Sequence, residues 1–178
     1  MTVKAQFELM AVYNRWMNAA LYRACGGLDE ASFQRDTGAF FGSLCGTLNH
    51  LLVADTLWLK RFALHPTGFA ALEPVQRMPA PTALNQILHP DLASLQTARE
   101  ALDDAIINFS REATAADYET DLHYRSTKGL PFQKPFGLVV QHFYNHQTHH
   151  RGQATTLLSQ FGIDVGVTDL LVLIPDVE

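Results

Sequence analysis

The sequence predicts an all-α fold, a four-helix bundle with one long crossover and a small β-hairpin before the last helix, and three observations carry that reading. Four long segments lack internal proline and repeat apolar residues at three-or-four spacing, the signature of amphipathic helices. Five of the eight prolines fall between the second and third of these segments. Proline fixes φ and removes a backbone donor, so that stretch reads as a connection. With 178 residues, 47% of them hydrophobic, the chain can bury one sizeable core, and a single domain spanning residues 1–178 is expected.

The first helix is expected from about Val3 to Ala24, where Phe7, Met10, Tyr13, Asn14, Met17 and Leu21 follow helical spacing. Gly26 and Gly27 then offer a stop that tolerates the left-handed conformation, and Asp29 is placed to cap a short turn. The second helix is expected from about Thr37, capped by Asp36 or Thr37 itself, to Leu64, where His65-Pro66 favours a break. The proline-rich stretch PTGFAALEPVQRMPAPTALNQILHPD reads as a crossover passing over the surface. In the third helix, from about Asp91 to Glu112, Leu92, Leu95, Ala98, Leu102, Ala105, Ile106 and Phe109 form the apolar side, with Glu100, Asp103 and Asp104 elsewhere. The run LHYRSTKGLPFQKPFG alternates around Lys128-Gly129 and predicts an edge hairpin, because Pro131 and Pro135 cannot sit in a central strand. The fourth helix follows from about Gly137 to Phe161, closed by Gly162. In the tail, Leu170, Leu171, Leu173 and Ile174 need a surface to cover, either the bundle or a second subunit. Tyr13, Trp16 and Trp58 are expected to be core residues.

A formal charge of −5 provides no basic field, so neither nucleic acid nor an anionic membrane is an expected partner, whereas small molecules and proteins are. Cys25 and Cys45 are too few for a disulfide framework and fit reduced thiols in a cytoplasm. Lys4, Glu8, Asn14 and Arg15 interrupt the apolar residues of the N-terminus, so no signal peptide or membrane span is expected there.

The eight histidines are unevenly spread, and NHQTHHRGQ, from Asn145 to Gln153, holds three of them. His146 and His150 are four residues apart on the fourth helix and point within about 40° of each other. Val139, Phe143, Leu157 and Phe161 lie on the same side, which turns both imidazoles inward. A buried neutral imidazole must satisfy a donor and an acceptor nitrogen, and a metal takes one lone pair while a carbonyl or carboxylate holds the other N–H. A third ligand should come from another helix, where His50 stands among Gly46, Thr47, Ala54 and Leu57, a face with room beside the ring. Three histidines with open positions describe a catalytic rather than a closed structural site. Zinc is the first expectation; nickel, iron and manganese also accept nitrogen ligands. The bland reading is that buried histidines find ordinary hydrogen bonds, and HxxxH lacks the glutamate of HExxH. His142 and His149 lie toward the flank of the stripe, as hydrogen-bond partners of the ligands or facing solvent, with replacement of a ligand as the lesser alternative. His65, His89 and His123 read as bystanders, and Cys45 as a small packing residue. Gln153 lies within about 20° of the ligand direction and is placed to support a ligand, whereas Arg151, about 140° away, suits a bridge to a neighbouring helix or carboxylate; a buried structural polar pair is an equal reading for both.

NHQTHHRGQ on the fourth helix, LNHLLVADTLW on the second and YNRWMNAAL near the N-terminus together resemble the DinB-like family of small helical metalloproteins, over most of the chain. The family's pattern, a histidine on the second helix followed far downstream by HxxxHR, is met by His50, His146 and His150 with Arg151. The closing GIDVGVTDLLVLI is also similar. The resemblance implies an up-down-down-up bundle, a homodimer, and a divalent ion, zinc or nickel before iron or manganese, on His50, His146 and His150. It also implies chemistry with low-molecular-weight thiols such as bacillithiol or mycothiol, as in the family's thiol transferases and a maleylpyruvate isomerase. The expectation is a metal-dependent thiol S-transferase, with a metal-dependent hydrolase and a non-catalytic metal- or ligand-binding protein as rivals. The family's link to DNA damage does not extend to DNA binding in an acidic chain.

Overall fold

The computed structural model describes residues 1–176. In chain order the elements are α1 (Val3–Cys25), α2 (Glu30–Gln34), α3 (Leu44–Phe62), α4 (Glu73–Arg77), α5 (Leu92–Glu112), α6 (Ala115–Tyr118), the strands β1 (Asp121–Arg125) and β2 (Pro131–Pro135), and α7 (Phe136–Gln160). Three of the four long helices start at a side-chain cap: Thr2, Ser43 and Asp91 each accept a first-turn backbone N–H, from Ala5, Gly46 and Ser94. The fourth, α7, runs on directly from β2.

α1 packs against α5 and α7, and α3 packs against the same two helices. Their stripes meet in one apolar core, with Leu21, Leu48, Leu59, Leu102, Ile106 and Leu158 inaccessible or nearly so. At the hairpin end Phe62, Phe109, Phe136 and Phe143 meet mostly edge-on, with centroids 5.3–5.6 Å from Phe62. His65 is stacked between Phe69 and Phe136 and reaches Thr120 Oγ1 at 2.7 Å, an ordinary core histidine. The hairpin forms as expected, β1 antiparallel to β2 with Leu122 opposite Lys134 and Tyr124 opposite Phe132. Gly162 takes φ of 74° and closes α7 in the left-handed conformation. Among the described residues no helix is long and apolar enough to cross a membrane.

The second long helix begins at Leu44 rather than Thr37. Gly42 adopts φ of 76°, and Thr37 N–H bonds to Gly42 O at 2.8 Å, so residues 37–42 fold into a tight turn. Asp36 caps that turn by accepting from Gly38 N–H at 2.9 Å. The helix also stops two residues early, at Phe62. Neither Gly26 nor Gly27 is left-handed; α1 ends by tightening, with Gly27 N–H to Ala24 O and Leu28 N–H to Cys25 O. The crossover does not merely pass over the surface, since a 3₁₀ turn (Ala70–Leu72) and α4 bury Phe69, Leu72 and Val75. Trp16 and Trp58 are only half-buried, unlike Tyr13. Asp103 is buried rather than on the solvent side of its helix, because Arg99 one turn earlier is buried with it.

Candidate metal centre

His50 sits in the second turn of α3, and His146 and His150 lie one turn apart on α7, the helix against which α3 packs. One ligand atom from each of the three lies within 4.8 Å of the others. His50 Nε2 is 3.2 Å from His150 Nε2 and 3.4 Å from His146 Nε2.

Protons decide what these contacts mean. His50 Nδ1 is 2.8 Å from Leu84 O, and His150 Nδ1 is 2.7 Å from Gln153 Oε1. Both acceptors are carbonyl oxygens, so each Nδ1 carries the hydrogen and each neutral ring turns an unprotonated Nε2 to the centre. The 3.2 Å contact between His50 and His150 is then two lone pairs facing one another. A Lewis acid between them relieves that repulsion. Two nitrogens bound to one ion at about 2.0–2.1 Å with tetrahedral angles are separated by about 3.3 Å, which the observed spacings match. The residues present therefore fit a divalent ion. Burial, then the neighbouring His150 and His50 rings, pull the His146 pKa down to about 3. Burial also lowers His50 and His150, which keeps all three in the neutral form a metal needs.

A family model described as the DinB family matches residues 1–175. The chain belongs to the DinB family. Protein DinB of Bacillus subtilis (strain 168) is 22% identical over 165 residues, covering 88% of this chain and 87% of that protein. No solved structure gives a significant match.

The crossover and the turn before α3 complete the surroundings of this DinB-family site. Asn49, fully buried, accepts from Leu88 and His89 N–H and donates to His89 O, holding down the strap that delivers the Leu84 carbonyl. Phe41 stacks on His50 with centroids 3.8 Å apart and meets His150 edge-on. The space that Gly46 leaves beside His50 is filled by the Phe41 backbone, because a Cβ at Gly46 would come within 2.1 Å of Phe41 O. Gly46→Ala is therefore expected to push the 37–42 turn off His50 and cost about 1–3 kcal/mol, measurable by denaturant unfolding. A variant as stable as wild type would show that the turn yields freely.

Of the remaining residues singled out from sequence, His142 and His149 are exposed, beside His146 and His150 with centroids at 6.1 and 4.8 Å. Arg151 points away from the three rings, donating to Asn14 Oδ1 and lying over the Tyr13 ring. Gln153 alone of the four hydrogen-bonds a ring of the triad. Gln153→Ala removes the acceptor that fixes the His150 tautomer and is expected to weaken zinc binding about 10–100-fold. Competition with a chelating dye measures this, and unchanged affinity would free Gln153 of that role.

A buried polar network beside the site was missed. Arg99 Nη1 bonds Asp55 Oδ2 at 2.5 Å and its Nη2 lies 3.1 Å from Asp103 Oδ1. Gln147 donates to Asp55, and Asn14 and Asn18 donate to Asp103, so α1, α3, α5 and α7 all contribute. A signal existed: Arg99 and Asp103 lie one turn apart in the stripe between Leu95 and Ile106.

Proposed function

We propose that this DinB-family protein is a divalent-metal-dependent enzyme, an S-transferase whose co-substrate is a low-molecular-weight thiol. The observation that carries the reading is the convergence of three imidazoles, with the Nε2 atoms of His50 and His150 facing each other, beside a cavity. His50 and His146 line a space of about 300 Å³, together with Trp58, Tyr124, Phe132 and His142. His50, His146 and His150 would hold the ion, zinc or nickel first among the nitrogen-binding metals, with iron and manganese next. When bound, such an ion supplies Lewis acidity that lowers the pKa of a thiol or water.

The protein's own thiols do not suit the nucleophile's role. Cys25 and Cys45 are buried, burial pushes Cys25 up to about 12 and raises Cys45, and neither belongs to the triad. The sulfur must therefore come from outside. Neither Asp nor Glu lines the cavity among the described residues, and His142 is the side chain placed to take a proton there besides the two ligands. A thiol, with pKa near 8.5, needs less help losing its proton than water does, which favours transfer over hydrolysis. In the reaction the S–H proton passes to His142 or to water, a C–S bond forms, and the bond from that carbon to the leaving group breaks with its electron pair going to the leaving group.

Metal-dependent loss of free thiol with an aryl halide or epoxide, across several thiols, is the expected result. Ester or amide cleavage without thiol would make the protein a hydrolase, and stabilisation by ligand with no product a binding protein. Our reading also includes an up-down-down-up four-helix bundle, supported by the packing of α1 and α3 on the same two helices. It includes a reducing cytoplasm, in keeping with the free Cys25 and Cys45, and a homodimer, since Leu171, Val172 and Ile174 of the tail face outward while Tyr13 OH ties the segment to α1 through Thr168 O. Light scattering in solution gives the molar mass that decides the assembly.

A further inference from the structure

His50, Ala54, Leu57, Trp58 and Arg61 lie along one face of α3, with Arg61 within about 20° of His50 on the helical wheel and about 16 Å further along the axis. All five line the cavity beside the triad. That cavity adjoins a larger one of about 820 Å³, whose wall shares Leu57, Arg61, Leu84, Tyr124 and Phe132. No Asp or Glu lines either space among the described residues, although the chain has 18 acidic residues against 13 Lys and Arg. The fixed charges there are all positive: Lys60, Arg61 and Arg125.

Two of the three are already engaged. Lys60 Nζ donates to Gln76 O and Met78 O, and Arg125 Nη1 donates to Gly129 O. Arg61 forms no ion pair among the described residues. Its guanidinium carbon lies 4.4 Å from the Trp58 ring centroid and 5.2 Å from that of Tyr124, so two aromatic rings position it. Burial lowers its pKa, as befits a cation partly removed from water without a counter-charge.

Building on the metal and thiol reading above, we infer that Arg61 anchors a carboxylate or phosphate of the molecule that reacts beside His50 and His146. Helical side chains lean toward the N-terminus, so Arg61 leans along α3 toward His50, which lies about 16 Å back along the axis. The molecule is then one whose anionic group and reacting atom are separated by no more than that rise. A planar guanidinium held by stacking presents paired N–H groups to such an oxygen pair, which a flexible ammonium does not.

The test titrates zinc-loaded protein by calorimetry with two pairs of thiols: glutathione against its diethyl ester, and mercaptooctanoate against mercaptooctanol. Wild type should bind the charged member of at least one pair about tenfold tighter or more, and Arg61→Met, which keeps the apolar stem, should bring the two within about threefold with zinc content unchanged. Arg61→Lys should retain part of the preference. Equal binding of charged and neutral members by wild type, or a preference that survives in Arg61→Met, overturns the anchor and leaves Arg61 as a brace for Trp58 while the thiol reading stands. Binding of neither pair to zinc-loaded protein overturns the anchor and the thiol reading but not the metal site. A wild type that takes up none of zinc, nickel, manganese and iron overturns all three.

Discussion

Replacing His146 with alanine is expected to strip the metal from the protein while leaving the fold in place. The donor set is three imidazole nitrogens, two of them oriented by carbonyl oxygens outside the triad. Loss of a partner that only orients a ligand weakens metal binding about 10–100-fold, so loss of a ligand itself should exceed that range. Elemental analysis of gently purified wild type beside His146→Ala reads this directly, with near-stoichiometric metal in one and little in the other. The fold should survive because His146 is half-buried and its Nδ1 has no hydrogen-bond partner, so alanine removes an unsatisfied group along with the ligand. Wild type that stays empty when offered zinc, nickel, manganese and iron would sink the metal reading.

The same rings set a pH dependence. Burial depresses the pKa of all three, so the folded protein resists their protonation while the unfolded chain takes up protons near pH 6.5. The unfolded state binds more protons below that pH. The stability contributed by the neutral rings is therefore present above about pH 6.5 and is lost as pH falls toward the folded values, the lowest of which is about 3 at His146. Metal-free protein should thus lose stability from pH 7 to pH 5, and bound metal should leave over the same range as protons compete for Nε2. A flat profile in the metal-free protein would mean that the rings open to solvent.

How much of this was legible depends on whether a contact leaves a mark in the residue pattern. The pairing of His146 and His150 follows from helical period alone, and His50 could be placed opposite them because it stands on an inward face of another long helix. The Leu84 carbonyl could not be foreseen, since a backbone oxygen from a proline-rich strap has no side-chain signature. Phe41 was hidden because Ala39, Phe40 and Phe41 continue a helical apolar pattern, and only Gly42 in the left-handed conformation and the Ser43 cap reveal that the helix starts later. Gly46 looked like room for a ligand and is instead room for the Phe41 backbone. Arg99 and Asp103 are hidden for a different reason. Charge ordinarily marks the solvent face, whereas their positions fall in the apolar stripe.

Those two residues carry the largest expected effect on stability. Arg99 is the cation between Asp55 and Asp103, and all three are buried, with exposures of 3%, 0% and 3%. Burial drives both carboxyl pKa values up and the Arg99 guanidinium opposes it, while the carboxylates hold Arg99 charged above its ordinary range. Removing one partner from such a set leaves uncompensated buried charge, at a cost of about 3–5 kcal/mol. Arg99→Met, which keeps most of the side-chain volume, is expected to lose that much in denaturant unfolding and to lower the melting temperature on the order of 10 °C. The deficit should shrink on acidification, because a carboxyl whose folded pKa is raised binds its proton more tightly when folded and then needs no counter-ion. A loss under about 1 kcal/mol, or one independent of pH, would show that water already screens the network. The consequence reaches the histidine triad through α7. Gln147 and Arg151 each follow a triad histidine by one residue and join this network through Asp55 and Asn14. One face of α7 thus offers His146 and His150 to His50 on α3, while the next fixes the helix to α1 and α3 in the interior. Weakening the network should loosen the rotation of α7 that aims both rings, so Arg99→Met should bind zinc less tightly even where it remains folded.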